Sequence, residues 1–305
     1  MTATSKTPAA VAALVGLDWR SRQVTEILER ALAEDIGSGD LTTDAVVPER
    51  IEAQGTFLAN EMLVVAGLPL AERLYELLDP ALRLEAQVEE GVQVTRGSIA
   101  GVRGDARPLL RGERVALNFL QRLSGIATLT RRFVARLEGT KTRIRDTRKT
   151  TPGLRLLEKY AVRVGGGSNH RFGLFDAVLI KENHAQLAGG VAEAVRRARQ
   201  RYDRQHALQV EVRDDAEVRQ ALAAGADALL LDNMSVEQVD TAVEIVRGRV
   251  PLEVSGGLRL ETVRAYAECG VDFVSVGALT HSAPAADISF DLVPARVRPA
   301  KEAGP

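Results

Sequence analysis

The chain has 305 residues, 45% of them apolar and 27% charged, which fits a soluble globular protein somewhat long for one hydrophobic core. Forty basic residues against 41 acidic leave a formal charge of −1, so no global field recommends nucleic acid or a membrane as partner. The lone cysteine, Cys269, excludes an intramolecular disulfide framework and a multi-thiolate metal site, and it fits a reducing, cytoplasmic compartment.

Residues 1–18, rich in Ala, Thr and Pro, read as frayed, and so do residues 299–305. The apolar run from Pro8 to Leu17 has only Lys6 before it and no small-x-small cleavage signal after it, so export is not expected. No stretch approaches the ~18 to 20 apolar residues that span a bilayer.

From Val24 to Ala33 the apolar residues Val24, Ile27, Leu28, Ala31 and Leu32 recur at helical spacing. Asp35 to Asp40 then ends the helix. Between Ile51 and Val102 short β-prone runs punctuated by Gly turns, with a helical interval near Pro69 to Leu78, give a mixed α+β pattern. A long helix is predicted over about Glu113 to Leu137.

Beyond it the pattern becomes regular. Short β-prone runs at 143–146, 176–181, 208–212, 227–231, 252–254 and 273–276 alternate with helical stretches at 152–164, 191–202, 216–223, 236–246 and 260–268. This alternation predicts a parallel sheet with crossover helices. An echo of Gly225-Ala226-Asp227 in Gly270-Val271-Asp272 points to repeated βα units, hence a barrel with six strands where a complete one has eight.

In such a barrel the strand C-termini share one face, and catalytic groups belong there. The strand ends carry Asp146-Thr147-Arg148-Lys149, Lys181, Glu211, Asp232-Asn233, Ser255-Gly256-Gly257 and Val276-Gly277-Ala278. The loop Gly165 to Arg171 adds His170 and Arg171. Arg148, Lys149, His170, Arg171 and Lys181 suit a multiply anionic substrate, and Glu211 and Asp232 suit sugar hydroxyls or magnesium. The glycine-containing ends suit a phosphate. Thr151-Pro152 reads as a helix start, with Thr151 as N-cap. His170 fits a structural role as well as a ligand-binding one, His184 and Asn183 read as scaffolding for Lys181, and Cys269 as buried packing.

Taken in order, these segments resemble the quinolinate phosphoribosyltransferase family, also called carboxylating nicotinate-nucleotide pyrophosphorylases. The resemblance runs through Glu34-Asp35-Ile36-Gly37, Glu113-Arg114, Leu123-Ser124-Gly125, Asp146-Thr147-Arg148-Lys149-Thr150, Asn169-His170-Arg171, Lys181 with Asn183-His184, Glu211, Leu231-Asp232-Asn233, Ser255-Gly256-Gly257 and Ser275-Val276-Gly277. It implies an α/β protein, an incomplete (β/α) barrel over 118–285. A smaller α+β sandwich domain over 1–117 is joined by the C-terminal segment 286–305.

The implied reaction converts quinolinate and phosphoribosyl pyrophosphate, with Mg2+, to nicotinate mononucleotide, pyrophosphate and CO2 in de novo NAD biosynthesis. The resemblance assigns the catalytic roles to Lys149, Lys181, Glu211 and Asp232. It places Arg148, Lys149, His170, Arg171 and Arg114 on the quinolinate carboxylates, with Arg114 supplied by the other subunit of a homodimer. It puts Lys181 at the phosphoribosyl group, Glu211 and Asp232 at ribose and metal, and the Ser255 and Gly277 loops at the 5-phosphate, with Thr147, Gly256, Gly257, Val276 and Ala278 beside them. Two rivals stay open: a related pyrophosphorylase-like barrel with another substrate, and a non-catalytic sugar-phosphate binding barrel.

Overall fold

The computed structural model describes residues 17–295, and the expectations for residues 1–16 and 299–305 lie outside them. The described chain divides into two compact units, one running to Gly125 and resuming at Pro284, the other spanning Ile126–Ala283. The resemblance put these divisions at 117/118 and 285/286.

The first unit begins with α1 (Arg22–Ile36), whose Ser21 side chain accepts the Val24 N–H and whose buried stripe is Val24, Leu28 and Leu32. Asp40 caps α2 (Leu41–Val46) in the same way through the Thr43 N–H. Then follow β1 (Glu52–Ala59), β2 (Leu63–Val64), α3 (Leu68–Leu78), β3 (Arg83–Ala86), β4 (Gln93–Val94), β5 (Gly97–Asp105) and the long α4 (Ala106–Arg136).

In β1 buried positions alternate strictly, and Phe57 faces Tyr75 of α3 with ring centroids 6.3 Å apart. This is the half-buried strand pattern that a helix covers on one face. The closing strand β12 (Ile288–Pro294) pairs antiparallel with β1, giving the order β12-β1-β5-β3. Phe290 of β12 lies directly over Gly55, where any Cβ would collide with its ring.

The second unit carries β6 (Arg143–Arg145), α5 (Arg155–Val164), β7 (Val178–Ile180), α6 (Glu182–Ala188), α7 (Val191–Tyr202), β8 (Leu208–Val212), α8 (Asp215–Ala223), β9 (Ala228–Asp232), α9 (Val236–Val246), β10 (Leu252–Ser255), α10 (Val263–Glu268), β11 (Phe273–Ser275) and α11 (Ala278–His281). All six predicted strands form, and they pair in parallel in the order β6-β11-β10-β9-β8-β7. The barrel is open between β6 and β7, where Ser168 makes only a single bridge to Arg145.

Two local expectations are corrected. The helix after β6 starts at Arg155 and not at Pro152, because Glu158 reaches back to bind the Thr151 N–H and hydroxyl at 3.1 and 2.7 Å. Residues 151–154 are thereby held as a turn, with Gly153 at φ +82°. Cys269, expected to be buried, is half-buried beside the end of α10, and burial pushes its thiol pKa up.

Candidate active site

Parallel register decides which side chains meet at the strand ends. Ser255 lies opposite Asp232 on one side and Ser275 on the other, and Ser275 lies opposite Arg145. The residues just past these pairs therefore converge on one rim, where a cavity of about 820 Å³ opens. Thr147, Arg148, Lys149, His170, Arg171 and Lys181 line it. So do Glu211 and Asp232, together with Ser255, Gly256, Gly257, Val276, Gly277 and Ala278. Arg114 is the one expected site residue outside this set, and it is exposed on α4 in the first unit.

The charges inside the cavity are unevenly compensated. Lys181 Nζ lies 2.9 Å from Glu211 Oε2, so that pair is largely neutralised. His184 Nδ1 accepts the Lys181 N–H at 3.0 Å, which fixes the start of α6, as the scaffolding reading of His184 expected. Among the described residues Asp232 has only the Asn233 amide, at 2.7 Å, and both burial and Glu211 push its pKa up while Lys181 and Lys149 pull it down.

Arg148 and Arg171 bring positive charge to the cavity, that of Arg171 offset in part by Asp176. Each has a buried Nε with no hydrogen-bond partner, and the Arg171 pKa is lowered first by burial and then by Arg148 itself. Two guanidiniums that repel one another and retain unsatisfied buried donors form a site poised for a carboxylate or phosphate.

A buried hub holds this loop in place. Asp146, fully buried, accepts hydrogen bonds from Lys159 Nζ at 2.6 Å, Asn169 Nδ2 at 2.6 Å and the His170 N–H at 2.8 Å. Burial pushes the Asp146 carboxyl up and the Lys159 ammonium down, and their mutual attraction opposes both. At the far side of the cavity Gly256 sits at φ +105° and leaves no room for a Cβ beside Asn233. Only glycine fits there.

Sequence reasoning missed Lys159, Glu253, Arg259 and His281, of which the last three line the cavity. Lys159 sits mid-helix and gives no local signal. Glu253 could have been found as a charged residue inside a β-prone run, two positions before Ser255.

A parallel barrel whose strand ends surround such a cavity with cations and three carboxylates defines an enzyme acting on a small, multiply anionic substrate. The sequence profile described as quinolinate phosphoribosyl transferase, C-terminal domain, matches residues 126–291, and that of the N-terminal domain matches residues 40–124. The chain belongs to the quinolinate phosphoribosyl transferase family.

Among curated relatives it is similar to the mitochondrial quinolinate phosphoribosyltransferase (decarboxylating) 2a of Nicotiana tabacum, at 43% identity over 87% of this chain and 81% of that one. Among solved structures it is similar to the nicotinate-nucleotide pyrophosphorylase of Francisella tularensis, at 43% identity and a TM-score of 0.85, over 89% of this chain and 96% of that one. NadC from Streptococcus pyogenes is similar at 41% identity and a TM-score of 0.88, over 92% and 99%. Among the described residues no helix is long and apolar enough to cross a membrane.

Proposed function

We infer that the protein is a quinolinate phosphoribosyltransferase of de novo NAD biosynthesis, working in a reducing cytoplasmic compartment. The observation that carries this reading is the Arg148 and Arg171 pair, with its buried unpartnered Nε groups, in the same cavity as Glu211 and Asp232. The guanidiniums hold the two carboxylates of quinolinate, with Lys149 and His170 beside them. The quinolinate ring nitrogen attacks the anomeric carbon of phosphoribosyl pyrophosphate, and the bond to pyrophosphate breaks with its electron pair.

Positive charge developing on the ribose is stabilised by Asp232 and Glu211, while Lys149 and Lys181 face the departing oxygens. The Ser255-Gly256-Gly257 and Val276-Gly277-Ala278 turns receive the 5-phosphate. The alkylated ring nitrogen then stabilises the carbanion left as the adjacent carboxylate leaves as CO2, and a proton from solvent completes nicotinate mononucleotide. The chain's task in that step is to keep the ring fixed.

The donor set suits magnesium as a partner of the substrate. Glu211 and Asp232 interact, but among the described residues no group of three or more His, Cys, Asp or Glu is placed to hold a metal. One or two carboxylates plus substrate phosphates is the usual way a protein holds Mg2+. Glu211 and Asp232 would hold it together with the pyrophosphate, where it neutralises leaving-group charge. Turnover should fall to background after exhaustive chelation and return with added Mg2+, and full activity in the chelated enzyme would remove magnesium from the reaction.

Selectivity follows from the paired guanidiniums. Quinolinate should be turned over at least about 10²-fold more efficiently than nicotinate, because a missing carboxylate leaves half-buried cations unpaired. Comparable kcat/KM values for the two acids would sink the assignment.

The reading extends to a homodimer with shared sites. Arg114 is exposed, and so are Leu174 and Phe175 in the loop after Arg171, at 73% and 76%. A second copy of this chain would cover such apolar groups. If Arg114 serves the partner's site, mixing inactive Arg114→Ala and Lys149→Ala subunits should restore about a quarter of wild-type activity at random pairing, since half the dimers then hold one intact site of two. No recovery in proven heterodimers would place Arg114 within its own chain's site.

A further inference from the structure

A second polar layer lies one strand period below the strand-end groups, its Glu253 and Ser275 reaching the cavity wall, and the reaction as described gives it no task. Residues i and i+2 of a strand share a face, so Arg145, Gln209, Glu253 and Ser275 lie beneath Thr147, Glu211, Ser255 and Gly277. Barrel interiors are normally filled by layers of branched apolar side chains.

Here Glu253, 1% exposed, accepts hydrogen bonds from Arg145 Nη1 at 2.8 Å, from Gln209 Nε2 at 2.9 Å and from the Ser275 hydroxyl. Gln209 turns its amide oxygen to His170, 3.0 Å from Nε2, and Glu253 Oε1 lies 3.5 Å from the same nitrogen. The other ring nitrogen, Nδ1, accepts the Arg171 N–H at 2.8 Å. An imidazole whose Nδ1 accepts and whose Nε2 faces two oxygens is neutral, with its hydrogen on Nε2.

We propose that Glu253 is a positioning residue: directly and through Gln209 it fixes the His170 ring and tautomer, and through His170 Nδ1 the backbone of Arg171. The charged groups facing His170 are Glu253 from β10, Arg145 from β6 and Lys159 from α5. Burial pushes the His170 pKa down, and Glu253 is the main influence that opposes it. The kinetic consequence rests on the reading of the cavity as a quinolinate site, and the structural consequence does not.

The chain has four histidines, so the His170 imidazole can be assigned in nitrogen-15 NMR spectra by difference from His170→Asn. Wild-type protein should show His170 as a neutral Nε2–H tautomer at pH 7. In Glu253→Gln its titration midpoint should fall, because the opposing charge is gone while Arg145 and Lys159 remain. The KM for quinolinate should rise about tenfold, with the KM for phosphoribosyl pyrophosphate changed by less than about twofold, as loss of positioning at one substrate requires.

Should Glu253→Gln not fold, Glu253→Asp keeps the charge but withdraws it, and the His170 midpoint should then fall as well, by less than full loss of the charge would cause. An unchanged His170 midpoint in Glu253→Gln or in Glu253→Asp, or an equal rise of both KM values, would overturn the proposal. Wild-type protein with the expected His170 spectrum but no turnover of quinolinate would instead overturn the reading of the reaction.

Discussion

Replacing Asp232 by Asn should lower kcat by about 10²- to 10³-fold, the range for removing one preorganised electrostatic group aimed at charge that develops in the transition state. Asp232 should matter more than Glu211, because Lys181 already pairs with Glu211 at 2.9 Å whereas Asp232 forms no ion pair among the described residues. Its field is therefore offset less than that of Glu211, by Lys181 and Lys149 acting without an ion pair.

The same environment sets a pH dependence. Burial and Glu211 raise the Asp232 pKa, so the carboxylate is lost at a higher pH than an ordinary aspartate's. On the acid side, kcat/KM should decline from a pH above the ordinary aspartate range, and the residual activity of Asp232→Asn should lack that limb. A full pH–rate profile on both proteins checks this. Wild-type kcat in the Asn variant would mean that Asp232 only shapes the pocket.

Lys159→Met should cost about 3 to 5 kcal/mol of stability, because removing one partner of a buried ion pair leaves the other charge without compensation. Lys159 and Asp146 have side chains 5% and 0% exposed, 2.6 Å apart. Asp146 would retain only the hydrogen bonds from Asn169 and His170, so the loop that carries Arg171 should loosen as well. Urea unfolding of both proteins measures the first effect, and the KM for quinolinate reads the second. A loss below about 1 kcal/mol would mean that Asp146 takes up a proton once the lysine is gone, the usual escape for an unpaired buried carboxylate.

The two predictions differ in how far the sequence anticipates them. Asp232 was legible because it closes a β-prone run before a turn, and strand ends in a parallel barrel are where chemistry collects. Lys159 was not legible. Its helix reads as an ordinary amphipathic segment, and only the fold brings its ammonium to the end of β6, 13 positions earlier in the chain.

The alternation of strands and helices, and with it the barrel, the face that carries the site and most of the groups on that face, is written in the order of the residues. These features are periodic or local, and each is written within a few residues. Which charges cancel is settled by the folded chain. Lys181 with Glu211, Lys159 with Asp146 and Arg145 with Glu253 are joined across 30, 13 and 108 positions. What remains after those pairings, Arg148 and Arg171, whose charges repel, and Asp232, which forms no ion pair among the described residues, shapes the field the substrate meets. Charge compensation depends on distances of a few ångström between residues far apart in the chain, and no periodicity in the sequence encodes such distances.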